Sequence, residues 1–498
     1  MIAEVTLGAG EITAADLVPI GQGAPVALAP DGLARMRAGE AVMRDAVAED
    51  RPIYGVTTGL GPRAVDRLGE AARGDFPAAT VLGRAHALGP ALPVAAVRAA
   101  MAIRVHTLLS GAVGVRPALA EHIAACLNEG LIPVIGESAS IGAADLLWGG
   151  SLGAGLIGSG EMDTPWGRLP AADAFDRAGI APWQPFGREG LALASHSSVT
   201  AALAALGFAG LQTLLEAGQT AAALMLEGFR GNLSPLDPDL LALSPKPGQG
   251  RAAAGLMRRL DGSELHQKRA ARRLQDPLSL RNIVQVQGAG FAALEFLEAA
   301  VMGEINGLSD NPVVLVERGE VLSGGSYLSP QVAIALGAVN QAAVHLAAQQ
   351  VARMGKMLAN RFSDLPQGLT DAGIGGAGFG AMMKAPEALA AEIAHLAQPA
   401  PVYPSPSADA LEDTVTHAAI PAKALHEIVQ RLSLITAMEL MVSTQAVELR
   451  GVAIAPALDP AMAMVREISP RLEVDRSLSA EIETLAARLR AGAFSLQA

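Results

Sequence analysis

The chain has 498 residues, a formal net charge of −12 at pH 7, and 51% hydrophobic but 3% aromatic residues. Its length exceeds that of a usual single core, so two regions or an extended oligomeric body are expected. The negative charge argues against binding of nucleic acid or an anionic membrane. The single cysteine, Cys126, excludes an internal disulfide framework and is typical of a cytoplasmic protein.

The first 195 residues and the rest of the chain have different patterns. Glycine and proline recur up to about residue 190, as at 59–62 and 149–150, which predicts short helices joined by loops that hold functional residues. Long apolar helical patterns follow at 199–231, 282–306, 330–358 and 422–449. We therefore predict a loop-rich helical region over 1–195 and a long-helix bundle and oligomerisation region over 196–498.

The abundance of Ala and Leu with few aromatic residues favours helices over β-structure. Long apolar helices also raise the alternative of membrane insertion. Charged side chains such as Glu216, Glu227 and Arg230 leave few stretches of about 18 uncharged apolar residues. Burial inside a bundle and between subunits explains the patterns better, so we expect an all-α fold and no membrane.

Seven short motifs follow one another between residues 50 and 420. They are Tyr-Gly-Val-Thr-Thr-Gly-Leu-Gly at 54–61, Arg-Ala-His-Ala-Leu-Gly at 84–89, Arg-Glu-Gly-Leu-Ala-Leu at 188–193, Gln-Asp-Pro-Leu-Ser-Leu-Arg at 275–281, Asp-Asn-Pro at 310–312, Glu-Val-Leu-Ser-Gly-Gly at 320–325 and Glu-Asp at 412–413. In composition and order these motifs resemble the aromatic amino acid ammonia-lyases, the family of the histidine, phenylalanine and tyrosine lyases. The resemblance implies a histidine ammonia-lyase-like helical fold and a homotetramer whose helices form one shared core.

One loop departs from that family in a decisive way. Residues 140–146 read Ser-Ile-Gly-Ala-Ala-Asp-Leu, where the family carries Gly-Ser-Val-Gly-Ala-Ser-Gly-Asp-Leu and cyclises its Ala-Ser-Gly into an electrophilic methylideneimidazolone. Here Ala144 occupies the serine position and the next glycine is missing, so there is no hydroxyl to lose. We therefore expect no prosthetic group of this kind, and no metal-ligand or phosphate-loop spacing supports another cofactor.

The resemblance assigns the catalytic base to Tyr54. Because the reference pKa of tyrosine is about 10, such a base needs nearby cations or backbone N–H groups, and the alternative is an ordinary half-buried tyrosine. His86 would orient the base or relay a proton, or else be a buried structural histidine. Arg281 would clamp a substrate carboxylate, or else form an ion pair with Asp276.

Several further positions have changed. Ser195 and His196 stand where the family has an asparagine that supports the prosthetic group, and Tyr327 lies in a segment that replaces Asn-Phe-His, so we expect all three to contact substrate. Lys384 would stabilise negative charge on a substrate ring or sulfur, and Glu392, which matches an active-site glutamate, would hold a ring N–H. The alternative for Lys384 is an exposed charge on a Gly-rich segment.

The missing electrophile bears on the substrate. The prosthetic group is attacked by the lone pair of an amine, whereas a trimethylammonium group has no lone pair and leaves as neutral trimethylamine. The resemblance is therefore to the ergothionase branch of the family, which implies a carbon–nitrogen lyase that converts ergothioneine to thiourocanate and trimethylamine. The alternatives are a lyase for another histidine-type betaine or amino acid, such as hercynine, and a catalytically silent homologue.

Overall fold

The computed structural model describes residues 3–370 and 376–494. The chain divides into two compact units, each assembled from three segments. The first unit contains Met1–Ala209, Glu298–Ile334 and Ala400–Lys423, and the second contains Gly210–Leu297, Ala335–Pro399 and Ala424–Ala498. The division that the sequence predicts between residues 195 and 196 falls near the end of the first of these segments.

Short helices and strands make up the first unit, as the frequent glycines and prolines predict. They are β1 (Val5–Leu7), α1 (Ala14–Gly21), β2 (Val26–Leu28), α2 (Pro30–Ala48), α3 (Glu70–Leu82), β3 (Leu88–Ala91), α4 (Val94–Leu108), α5 (Pro117–Glu129), β4 (Ile132–Pro133), β5 (Gly136–Ser138), α6 (Leu146–Leu156), β6 (Glu161–Thr164), β7 (Gly167–Pro170), α7 (Ala171–Ala178), α8 (Glu189–Ala194), β8 (Val313–Leu315), β9 (Glu320–Leu322) and α17 (Ser407–Ala410). Strands β1 and β2 pair in parallel, whereas β3–β5, β4–β6–β7 and β8–β9 are antiparallel.

The four predicted long helices are confirmed, with ends within three residues of the sequence patterns. They are α9 (Ser198–Phe229), α13 (Ile283–Asn306), α14 (Pro330–Leu358) and α18 (Ala419–Arg450). The second unit adds α10 (Pro238–Ala242), α11 (Gln249–Arg259), α12 (Leu278–Arg281), α15 (Asn360–Ser363), α16 (Lys384–Leu396), α19 (Asp459–Ile468) and α20 (Ser479–Arg490). Since helices dominate and the strands are short, the predicted all-α fold is confirmed.

Among the described residues, three helical stretches are long and apolar enough to cross a membrane by length and composition. They are Glu189–Phe229, Pro330–Leu358 and Ala419–Arg450, and 72%, 44% and 83% of their most apolar windows are buried within the chain. Burial inside the protein therefore accounts for most of the apolar character of the first and third stretches. More than half of the α14 window remains uncovered in a single chain.

Helix α4 forms the centre of the first unit, because nearly all of its side chains are buried and both α1 and α5 pack against it. Its Arg98 guanidinium donates hydrogen bonds to the carbonyl oxygens of Ile20 (2.7 Å), Ala24 (3.3 Å) and Leu127 (3.0 Å). Those carbonyls lie at or beyond the C-terminal ends of α1 and α5, where helices leave acceptors unsatisfied. Arg98 therefore joins three segments without burying an unpaired charge.

Glycines of α6 bring this helix into close contact with its neighbours. A Cβ at Gly149 would lie 2.5 Å from the carbonyl oxygen of Ala194, and a Cβ at Gly150 would lie 2.4 Å from the carbonyl carbon of Arg84. Only glycine permits this approach of one backbone to another. Because α6 begins directly after the altered loop, the packing fixes that loop relative to Arg84 and to the end of α8.

Candidate active site

The altered loop, residues 140–145, connects β5 to α6 and has an unusual backbone. Gly142 (φ 79°), Ala144 (φ 58°) and Asp145 (φ 43°) all lie in the left-handed region. For residues other than glycine this conformation costs about 1–2 kcal/mol each. The loop therefore contains a strained turn at the position where the serine of the family is missing.

Backbone groups from three other segments hold this loop in place. The N–H groups of His417 and His196 donate to the carbonyl oxygens of Ile141 (3.0 Å) and Ala144 (3.0 Å), respectively. The Ala144 N–H donates to the carbonyl oxygen of Tyr327 (3.1 Å). Thr416 adds a bond from its Oγ1 to the Gly142 carbonyl oxygen (2.9 Å). Both backbone groups of Ala144 are thus paired, as in an ordinary peptide.

Asp145 anchors the end of the loop. Its buried carboxylate accepts hydrogen bonds from the Ser140 hydroxyl, and from the backbone N–H (2.8 Å) and hydroxyl (2.8 Å) of Thr200 at the start of α9. Burial raises the pKa of Asp145, while these hydrogen bonds pull it down. The side chain therefore links the loop to α9 through three donors.

Tyr54 lies in a loop that closes on itself. Its half-buried hydroxyl oxygen accepts a hydrogen bond from the Gly61 N–H (3.0 Å). Gly55 adopts φ 68°, and a Cβ there would meet Leu60 at 2.6 Å and Leu191 at 2.7 Å, so glycine is needed. The tight backbone turn therefore places an N–H donor against the phenol oxygen.

Arg84 and Glu412 share the electrostatic surroundings of Tyr54. Burial lowers the pKa of Arg84, whereas charge interactions with Tyr54 and then Glu412 raise it. Burial raises the pKa of Glu412, and Arg84 opposes this shift. Helix α17 packs on the short 3-10 helix Gly61–Arg63, which brings the segment before Glu412 to the tyrosine loop. Tyr54, Arg84 and Glu412 are thus linked by charge interactions through Arg84.

His196 has a structural environment. Its ring is fully buried, with Nε2 donating to the Leu193 carbonyl oxygen (3.2 Å) and Nδ1 accepting from the Ser198 N–H (3.4 Å), in the tautomer that satisfies both contacts. Burial, followed by the charge of Arg104, lowers its pKa to about 3, so the ring is neutral. With both nitrogens occupied, His196 orders the chain beside Ala144.

A buried ion cluster supports this region. Arg104 donates to both carboxylate oxygens of Asp310 (2.7 and 2.9 Å), and Arg188 donates to one of them (3.1 Å). Burial alone would raise the pKa of Asp310, but the two guanidinium groups outweigh it and hold this pKa below its usual range. Because one carboxylate faces two cations, the cluster carries a net positive charge.

The other predicted residues of the first unit lie in differing surroundings. His86 is exposed, and its backbone N–H donates to the carbonyl oxygen of Arg84. Ser195 is buried at the end of α8, and Tyr327 is half-buried. The Tyr327 carbonyl oxygen accepts from Ala144 and from the Ser197 hydroxyl (3.2 Å). Tyr327 and the 194–197 segment therefore both adjoin the altered loop.

Arg281 belongs to the second unit, at the end of α12. It lines a cavity of about 740 Å³ together with Lys246, Gln275, Asp276 and Gln285, among other residues. Its Nη1 donates to the Gln275 side-chain oxygen (3.0 Å), while Asp276 accepts from the Asn232 N–H (2.6 Å). Among the described residues Arg281 makes no salt bridge with Asp276, so its guanidinium retains donors for a ligand.

Lys384 and Glu392 also belong to the second unit, on α16. Lys384 is exposed at the start of the helix. Glu392 is exposed and accepts a hydrogen bond from Arg431 Nε (2.6 Å). The sequence assigned Lys384 to stabilise charge on a substrate ring or sulfur and Glu392 to hold a ring N–H. Both roles stay predictions.

Sequence reasoning did not assign site roles to Arg84, Glu412 or His417. Both Arg84 and Glu412 occur inside motifs that resemble the family, so position in a motif was an available signal. His417 had no sequence signal, because its role follows from contacts with residues far away in the chain. No group of three or more His, Cys, Asp or Glu residues suited to a metal ion occurs within the described parts of the chain.

Comparison with known proteins agrees with this geometry. The sequence profile of the aromatic amino acid lyases matches residues 12–467. Histidine ammonia-lyase from Anaeromyxobacter dehalogenans is 34% identical over 486 residues, covering 95% of this chain and 96% of that protein. Fold and sequence thus define a carbon–nitrogen lyase. The chain belongs to the aromatic amino acid lyase family.

Two solved structures share the fold. Histidine ammonia-lyase from Trypanosoma cruzi superimposes with a TM-score of 0.91 at 25% identity, covering 99% of this chain and 94% of that one. Ergothionase from Treponema denticola gives a TM-score of 0.91 at 24% identity, covering 99% and 100%. The residues at the altered loop do not fit the methylideneimidazolone of the family, since Ala144 offers a methyl group and a fully paired backbone.

Proposed function

We propose that this protein is a carbon–nitrogen lyase that eliminates trimethylamine from ergothioneine to give thiourocanate, without a methylideneimidazolone group. The observation that carries the proposal is Ala144 at the serine position of a loop that hydrogen bonds from three other segments hold in place. A substrate whose nitrogen is already fully alkylated needs no electrophile to activate it as a leaving group. The fold likeness to ergothionase is compatible with this proposal.

The reaction needs a base and a stabilised leaving group. The Tyr54 phenolate takes the proton from Cβ, the C–H electron pair forms the Cα–Cβ double bond, and the Cα–N pair leaves with nitrogen as neutral trimethylamine. The Gly61 N–H donates a hydrogen bond to the Tyr54 oxygen, and Arg84 is a cation that interacts with Tyr54. In this scheme the heteroaromatic ring of the substrate accepts part of the developing negative charge.

The other predicted residues have supporting roles in the proposal. Arg281 binds the substrate carboxylate with its free donors. Lys384 stabilises charge on the ring or sulfur, and Glu392 holds a ring N–H. In the proposal His86 assists the base, while Tyr327 and Ser195 contact the substrate near the altered loop. The geometry of His196 supports a role in positioning Ala144.

Turnover of ergothioneine tests the proposal directly. Purified protein should release trimethylamine and produce the long-wavelength absorbance of a conjugated acrylate, whereas histidine should give no urocanate. Hercynine, which lacks the sulfur, serves as the matched betaine. Product from histidine but not from ergothioneine would overturn the proposal, and no product from any of the three would favour a catalytically silent homologue.

Replacing Arg281 with methionine tests the carboxylate site. We expect Arg281→Met to raise KM for ergothioneine about 10- to 100-fold, because a charge-assisted hydrogen bond contributes about 1.5–3 kcal/mol. Arg258→Met, at an exposed arginine of α11, is the matched control and should leave KM unchanged. An unchanged KM in Arg281→Met would instead support a structural role for this residue.

We also propose a homotetramer, with no nucleic acid or membrane partner. The apolar window of α14 is only 44% buried in a single chain, and exposed apolar surface on a long helix is commonly covered by another subunit. Light scattering coupled to gel filtration should give a mass near four times the 50.8 kDa of one chain. A monomer that retains activity would contradict the proposal.

A further inference from the structure

His417 occupies a place beside the altered loop that the proposed mechanism does not use. It precedes α18, and its backbone N–H donates to the Ile141 carbonyl oxygen (3.0 Å). The adjacent Thr416 bonds to the Gly142 carbonyl oxygen (2.9 Å). The backbone of His417 is therefore held directly against the altered loop.

The ring of His417 has an unused nitrogen. The residue is 8% exposed, and its buried Nε2 has no hydrogen-bond partner among the described residues. One side of the ring packs near Tyr403, with centroids 5.2 Å apart at 38°. A buried polar atom without a partner costs about 1–3 kcal/mol. An apolar ring would avoid that cost while packing on Tyr403 equally well.

The backbone of His417 is strained as well. Its φ of 49° lies in the left-handed region, which is uncommon for residues other than glycine. Such strain collects at binding and catalytic sites, where the surrounding structure enforces it. The unpaired nitrogen and the strained backbone occur together at one residue, next to the altered loop. Both observations point to a ligand group that pairs with Nε2.

We propose that His417 is a substrate-binding residue whose Nε2 accepts a hydrogen bond from an N–H of an imidazole-type ring. This inference rests on the proposed function, because it concerns the ring of the same substrate. The Tyr403 ring, 55% exposed on the Pro-rich stretch 399–406, packs on the His417 ring and supports it from one side.

A pair of probes separates ring recognition from general binding. Urocanate and cinnamate share an acrylate carboxylate and differ in the ring, since only urocanate has ring nitrogens. We expect His417→Phe to raise the Kd of urocanate, measured by calorimetry, about 10- to 100-fold, a range typical of a lost buried hydrogen bond. The Kd of cinnamate should change by less than about twofold, because the aromatic packing on Tyr403 is kept.

Control variants keep the result interpretable. His122→Phe alters a half-buried histidine that packs on Phe175 and Trp183, and should leave both dissociation constants unchanged. If His417→Phe does not fold, as judged by circular dichroism and melting temperature, His417→Gln replaces it. That side chain is shorter in reach but can accept a hydrogen bond, so it should weaken urocanate less than about tenfold.

The outcomes distinguish this inference from the proposed function. Equal weakening of urocanate and cinnamate, no weakening of either, or failure of the wild-type protein to bind urocanate at millimolar concentration would each overturn the role of His417. Selective weakening of urocanate supports it even if ergothioneine is not turned over. Absence of ergothioneine turnover with that selective weakening would refute only the proposed reaction.

Discussion

Two loops of the first unit differ in what they have kept. The Tyr54 loop retains its reactive side chain, and the Gly61 N–H donates to the phenol oxygen. The altered loop has alanine in place of the family's serine, and it contains a left-handed turn at Ala144 and an anchor at Asp145. The comparison teaches that a strained turn does not need a reactive side chain. Hydrogen bonds from several segments hold the turn at Ala144 in place.

The largest effect is expected from removing the reactive group of the first loop. Tyr54→Phe should lower kcat for ergothioneine about 10²- to 10⁴-fold, the usual contribution of a general base. Binding of the substrate, measured by calorimetry, should change little because the ring remains. Near-normal turnover of this variant would show that another group is the base. The Tyr54 loop would then carry no reactive side chain, and the two loops would not differ in chemistry.

The next largest effect should come from the anchor of the altered loop. Asp145→Ala leaves the donors of Ser140 and Thr200 without an acceptor, and should lower the free energy of unfolding by about 2–4 kcal/mol in denaturant titrations. The matched control is Asp163→Ala, which breaks a partly exposed pair with Arg168 and should cost less than about 1 kcal/mol. Equal losses in the two variants would mean that Asp145 is no special anchor.

The electrostatic coupling of the first loop predicts a pH effect. The pKa of Glu412 is raised by burial and drawn down by Arg84, so Arg84→Gln should raise it further. If the ionised carboxylate is the active form, the acid limb of the kcat/KM profile moves to higher pH. Arg63→Gln, an exposed arginine in the same neighbourhood, should leave the profile in place. A shift to lower pH would contradict this coupling.

The smallest effect concerns the left-handed backbone turn at Ala144. Ala144→Gly should raise the free energy of unfolding by about 1 kcal/mol, because glycine adopts the left-handed conformation without strain. Ala143→Gly, at a neighbour with ordinary negative φ, should instead lower it by about 0.5–1 kcal/mol. If both glycines destabilise the protein alike, then the turn is not strained in solution.

Much of the fold could be predicted from sequence because its determinants are local. Apolar periodicity gave the four long helices with ends within three residues of those observed. Frequent glycines and prolines predicted the short elements of the first unit. The close approach of α6 to its neighbours could not be read in this way, since Gly149 matters only when the backbone of Ala194 is known to lie against it.

The candidate site was predictable in part. Motifs assigned roles to Tyr54 and Arg281 that stay predictions, and the structure leaves donors of Arg281 free for a ligand. Its position, where the family has an asparagine, favoured His196 as a substrate contact, whereas the structure buries its ring and pairs both nitrogens with backbone groups. The nature of these contacts depends on where residues 193 and 198 place their backbone atoms, which composition and spacing do not encode.

By itself the sequence determined the family, the helical fold and the loss of the serine hydroxyl at Ala144, because each follows from residue identities along the chain. Only the tertiary structure decided that Arg84 and Glu412 accompany Tyr54, and that His417 lies against the altered loop with an unpaired nitrogen. Burial, hydrogen bonding and charge coupling arise between residues hundreds of positions apart. They exist only once the chain has folded.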